Sequence, residues 1–66
     1  MVNNIKVGDT LVPDPLWNQT ERGGNRLAVP SKILGVQSAI CQSGILLNVR
    51  TVGGQDRWLD AGWFVR

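Results

Sequence analysis

Trp17, Trp58 and Trp63 are the side chains of this sequence best suited to recognition. An indole brings a large contact area at low entropic cost, and tryptophan is enriched at binding hot spots. Trp17 sits in a polar stretch framed by Pro13, Pro15, Gly23 and Gly24, so it either caps one end of the domain or stands out as an anchor. Trp63 follows Asp60-Ala61-Gly62, a tight-turn sequence, where it would be partly buried with one face presented. Trp58 reads as an outer-face residue of a strand, near Arg50, where a cation–π contact is a sufficient structural reason for it. The basic residues are Lys6, Arg22, Arg26, Lys32, Arg50, Arg57 and Arg66, spread along the chain rather than in a run. They sort into two candidate surfaces. Trp17 and Trp63 as anchors, oriented by Arg22 and Arg26, make a protein-binding surface. Lys32, Arg50, Arg57 and Trp58 make an alternative nucleic-acid face, on which bases stack while cations track phosphate.

Catalytic chemistry finds few candidates. The chain has no histidine, the commonest general base and metal ligand. Ser31, Ser38 and Ser43 lie in no nucleophile context. Gly23-Gly24 and Gly53-Gly54 lack the Lys-Ser or Lys-Thr of a phosphate-binding loop. Asp9, Asp14, Glu21, Asp56 and Asp60 mostly fall at turn positions, where a carboxylate bonds local backbone. Asp60 is expected to cap the turn that carries Trp63. Cys41 is the single cysteine, which argues against a disulfide framework and against zinc within one chain, and fits a reducing compartment. The expectation is a non-enzyme with no cofactor and no metal.

Size and composition set the frame for these residues. Sixty-six residues make one domain, 1–66. A domain of this size buries about 60% of the surface that its unfolded chain exposes, so its core is thin. A homo-oligomer would relieve that. No uninterrupted apolar run exceeds three residues, as at Ile45-Leu46-Leu47, far short of a membrane span, and the N-terminal residues show no signal run. A soluble, cytoplasmic chain is expected. Net charge of +2 permits phosphate contact without demanding it.

The elements that must position the tryptophans are short. Eight glycines and three prolines break any long helix, and short apolar runs alternate with turn residues, which is the pattern of a small barrel or sandwich. A first strand lies within 6–13, after a Gly8-Asp9 turn and before Pro13 and Pro15. Residues 14–25 read as a long irregular loop, a type that is often functional. The chain returns at 26–30, and a strand over 32–40 would set Leu34, Val36 and Ile40 on one face. Cys41-Gln42-Ser43-Gly44 reads as a turn. The clearest strand spans 45–52. Gly53-Gly54-Gln55 suggests a three-residue hairpin with Val49 opposite Leu59 and Arg50 opposite Trp58. A two-residue Gly53-Gly54 turn would instead pair Val49 with Trp58 and Asn48 with Leu59; the first register sorts core from surface better.

Lys6-Val7-Gly8-Asp9-Thr10-Leu11 at the start, the late hairpin, and the turn Asp60-Ala61-Gly62-Trp63 before a last short strand resemble the SH3-like barrel. The likeness covers most of the chain at the level of topology. It implies an all-β, five-stranded barrel with a long first loop and a 3₁₀ turn before the last strand. The acidic loop and Pro-x-x-Tyr turn of proline-binding SH3 domains are missing, and there is no tyrosine, so polyproline recognition does not carry over. A complete short chain of this kind also resembles the accessory proteins of phages and mobile elements. The resulting expectation is a non-catalytic module that binds a partner protein through residues 13–26 and the turn around Trp63, as a small phage-type inhibitor or accessory protein does. The alternative is a nucleic-acid-binding barrel.

Overall fold

The computed structural model describes residues 5–65. Six strands form two three-stranded antiparallel sheets, with one short helix between the first two strands. The strands are β1 (Thr10–Pro13), β2 (Ser31–Lys32), β3 (Gly35–Ser38), β4 (Ile45–Arg50), β5 (Asp56–Asp60) and β6 (Phe64–Val65), and the helix is α1 (Pro15–Thr20). One sheet runs β2-β1-β6 and the other β3-β4-β5. Two 3₁₀ turns, Gly23–Asn25 and Ala61–Trp63, complete the order. Among the described residues no ladder closes the sheets into a barrel, and there are six strands rather than the five expected.

The extra strand arises because the expected 32–40 strand is broken at Ile33-Leu34. The Ile33 amide donates to Asp9 O and the Ile33 carbonyl accepts from Gly8, both beside the first sheet, while the Leu34 amide donates to Asn48 O in the second. The chain thus changes sheets within two residues. That step turns Ile33 fully inward and leaves Leu34, Val36 and Ile40 exposed. Ile40 lies beyond the end of β3. Residues 26–30 form no strand; Leu27 makes one isolated bridge to Thr51.

Ile5, Leu11, Leu27, Ile33, Leu47, Val49, Ala61 and Phe64 form the core, with Trp17, Ile45 and Leu59 packed against it. The alternation of β4 is as the sequence suggests, since Leu47 and Val49 are fully buried. The hairpin register is neither of the two expected. Leu47 lies opposite Leu59, Asn48 opposite Trp58, Val49 opposite Arg57 and Arg50 opposite Asp56. Relative to the favoured register, this is a shift of two residues. A two-residue shift keeps every side chain on its face, so the apolar pattern cannot detect it. The turn decides instead. Thr51 N donates to Gln55 O at 2.7 Å, Gln55 N donates to Thr51 Oγ1 at 3.1 Å, and Gly54, at φ 88°, donates to Thr51 O at 3.0 Å. The turn therefore takes in residues 51–55, and the Arg50–Asp56 ion pair (3.0 Å) follows directly.

Residues 14–25 are not an irregular loop. Asp14 is the N-cap of α1, its Oδ1 accepting from Leu16 N (2.9 Å) and Trp17 N (3.4 Å), and Pro15 stands in the first turn. An aspartate cap followed by proline is a helix-start signal. The excursion then docks on the hairpin tip. Gly53 N donates to Gly24 O at 3.1 Å, and Val52 N to Arg26 O at 2.8 Å. A Cβ at Gly53 would meet the Gly24 backbone at 3.0 Å, so each glycine pair supplies room for the other. No helix among the described residues is long and apolar enough to cross a membrane.

Candidate functional site

Two elements far apart in sequence bring the first and last tryptophans together. Trp17 rides on α1, and Trp63 ends the second 3₁₀ turn. α1 is too short to persist alone, so its ties to the rest of the fold matter. Asp14 N donates to Trp63 O at 2.7 Å, which joins the cap of α1 to the turn that carries Trp63. Asn18 clamps the returning chain from both sides: its Nδ2 donates to Leu27 O (3.2 Å) and its Oδ1 accepts from Leu27 N (3.0 Å). Leu27 is itself core. The turn holding Trp63 is anchored by buried Ala61 and Phe64 on either side, and Asp60 Oδ1 accepts from Gly62 N at 2.7 Å.

The two indoles stack with ring centroids 5.4 Å apart and an interplanar angle of 27°. Trp17 is the inner ring, half-buried against the core; Trp63 is the outer one, 42% exposed. The Arg57 guanidinium carbon lies 5.9 Å from the Trp17 centroid, within cation–π range. Arg57 Nη1 also donates to Glu21 Oε1 and to Asn25 O, each at 3.2 Å. Trp63, Trp17, Arg57 and Glu21 are therefore linked in succession.

Beside Trp63 opens a groove of about 230 Å³ lined by Gln42, Ser43, Asp60, Gly62 and Trp63. Its carboxylate is ionised well into acid: the Asp60 pKa falls from 3.8 to about 2. The neighbouring Ser43 side chain is the largest cause, although its Oγ donates to Ile45 O (3.0 Å); the Gly62 amide follows, partial desolvation opposes them, and the Ser43 amide and nearby Cys41 add to the lowering. A Cβ at Gly62 would lie 3.0 Å from Asp60 Oδ1, so a side chain there would push the carboxylate out of its cap. The Cys41 thiol is half-buried and donates to Ile45 O at 3.5 Å. A second hollow, of about 250 Å³, lies between Pro15, Asn18, Gln19, Arg26 and Val29.

The sequence-derived sets are only partly reunited. Trp17 and Trp63 do meet. Arg26 is exposed, and its Nε donates to Glu21 O at 2.9 Å, which ties it to the same loop. Arg22 is exposed, and its side chain reaches no partner among the described hydrogen bonds and ion pairs. The nucleic-acid set is dispersed. Arg50 and Trp58 share the outer face of the second sheet, Arg57 points to its inner face, and Lys32 lies in the other sheet. Arg50 pairs with Asp56 rather than meeting Trp58 directly across the strands. Trp58 covers Gly35, whose missing Cβ would lie 3.1 Å from the indole edge.

On sequence grounds Asp60 was placed only as the cap of the turn that carries Trp63, Arg57 only on the nucleic-acid face, and Glu21 and Ser43 with neither tryptophan. Arg57 carried a usable signal: it alternates in phase with Leu59, so it belongs to the inner face. Glu21 and Ser43 carried none, because long-range packing puts them there. No family model, curated protein or solved structure matches the chain.

Proposed function

We propose that this chain is a non-catalytic, SH3-like binding module that engages a partner protein through Trp63, with Trp17 and Arg57 behind it and Arg22 and Arg26 at the rim. The observation that carries the reading is the Trp17–Trp63 stack beside the groove. A half-exposed indole braced by a second ring loses little freedom on binding, and that favours affinity. The strand order supports the SH3-like part: β6 returns beside β1, the 3₁₀ turn precedes it, and β2 and β3 read as one strand divided between two sheets. A role as a small phage-type inhibitor or accessory protein fits such a module and rests on size and architecture alone.

The nucleic-acid reading draws less support. Two of its three cations are already neutralised, Arg50 by Asp56 and Arg57 by Glu21, and the two point to opposite faces of the sheet. The test compares retention of proteins from a nuclease-treated extract by the wild-type chain, Trp63→Ala and Trp58→Ala. A protein held by the wild type and by Trp58→Ala but lost with Trp63→Ala is the expected outcome. Retention that survives Trp63→Ala, or salt-sensitive quenching of tryptophan fluorescence by oligonucleotides, would count against it. Trp63 serves better here than Trp17, whose ring is part of the packing.

A further inference from the structure

We infer that the groove between Asp60 and Trp63 takes a guanidinium or ammonium side chain, and so that the partner presents an arginine or lysine at this point. The inference rests on the reading of Trp63 as the binding anchor and adds the chemistry of what it meets. Three observations carry it. Asp60 is a charged carboxylate in the groove wall, and no cation of the described residues forms an ion pair with it. Its two oxygens are held in fixed positions, Oδ1 by Gly62 N at 2.7 Å and Oδ2 by Ser43 N at 3.2 Å. The described hydrogen bonds bring only these two donors to the carboxylate, which can accept about four when ionised.

Trp63 supplies the other half. A cation within about 6 Å of an indole centroid is attracted by the ring quadrupole. Trp63 lines the groove and is 42% exposed. Trp17 covers part of its ring, so the groove side is the portion left for a ligand. Gly62, lacking a side chain, leaves open the space beside Asp60 Oδ1, where a Cβ would lie at 3.0 Å. At about 230 Å³ the groove is smaller than the roughly 300–1,000 Å³ of drug-sized ligand sites, which suits one side chain rather than a whole small molecule. The complementary charge selects a base. Arginine fits best, because its planar fork can bond the carboxylate and stack on the ring together.

The test is a two-dimensional amide NMR titration of the full chain with three blocked tripeptides, Gly-X-Gly, in which X is arginine, citrulline or leucine. Citrulline keeps the shape of arginine and removes its charge. The arginine peptide is expected to shift the Ser43 and Gly62 amides and the Trp63 indole N–H saturably, with citrulline binding about tenfold weaker, as expected for loss of a charged hydrogen bond. Asp60→Asn is expected to abolish the difference between arginine and citrulline while keeping the fold, since asparagine caps as well as aspartate. Equal binding of the citrulline or leucine peptide overturns the cation site but leaves Trp63 as the anchor. Shifts that persist unchanged in Asp60→Asn also overturn it. No shift with any of the three overturns both.

Discussion

Asp60 joins structure and site in one side chain. It caps the second 3₁₀ turn, fixes the Cys41–Gly44 turn through Ser43, and supplies the charge of the groove. Its folded pKa is about 2 against an ordinary 3.8. Between those values the unfolded chain binds more protons than the folded one, so stability falls as pH falls. The contribution is complete above about pH 4 and is lost through about pH 2. Asp60→Asn is therefore expected to flatten this part of the stability–pH curve, measured by urea unfolding at fixed pH values. An unchanged acid slope would show that the carboxylate is not held as described. Gly62→Ala tests the same cap from the other side, because the new methyl would press on Asp60 Oδ1; it is expected to lower the melting temperature while Gly44→Ala, at φ 80°, does so through backbone strain instead. Asp60 as the cap was legible in the sequence, because capping is local. Its place in a groove with Ser43 and Trp63 was not, because that depends on how two turns far apart in sequence pack.

Among the elements, α1 and the β4–β5 hairpin decide whether the indoles meet. The helix is six residues long and has no fully buried residue, so its cap and its two docking points hold it. Asp14→Ala is expected to cost about 1 kcal/mol, typical of a lost N-cap, and to loosen Trp17, read as a weaker tryptophan circular dichroism signal. The crossing of Gly24 and Gly53 is the other tie. Gly53→Ala is expected to destabilise through this close approach, whereas Gly8→Ala, whose Cβ would enter open space, does so only through its φ of 95°; a Gly53→Ala chain as stable as the wild type in chemical denaturation would show that the two backbones are not held together as described. The alternation of β4 and the turns at Gly8-Asp9 and at 41–44 were readable because they rest on period-two burial and on local hydrogen bonds. The hairpin register and the split at Ile33-Leu34 were not. A two-residue slip preserves faces, and a change of sheet shows only in the long-range bonds of Ile33 and Leu34. The helix was signalled by Asp14-Pro15, but the polar residues around it hid a segment that docks through Trp17 and Asn18 rather than through an apolar stripe.

At the scale of the molecule, eight buried hydrophobic residues among those described form the core, with three more packed against them. A core this small has little reserve, and natural domains hold only about 0.05–0.15 kcal/mol per residue. Leu47→Ala removes the fully buried centre of β4 and is expected to cost about 2–5 kcal/mol, a large share of the roughly 3–10 kcal/mol that a domain of this length holds. Arg50→Ala, at an exposed ion pair (3.0 Å), is expected to change stability by under about 1 kcal/mol. The all-β character was legible from glycine, proline and short apolar runs, whereas the division into two sheets was not. Trp17 and Trp63 were grouped on one surface from the sequence, but their stacking was not legible, because the two parts of the site, α1 and the second 3₁₀ turn, come together only once β6 pairs with β1.

The contact between Trp17 and Trp63 bears most directly on the account, and circular dichroism of stacked indoles reads it without any partner. The measurement compares the wild type with Trp17→Phe, Trp58→Phe and Trp63→Phe, each checked for folding by denaturation. An exciton couplet that is present in the wild type and in Trp58→Phe, and lost in both Trp17→Phe and Trp63→Phe, is the result predicted. A couplet that survives either of those two replacements, or its absence from a folded wild type, would contradict the stacked site on which the proposed function rests.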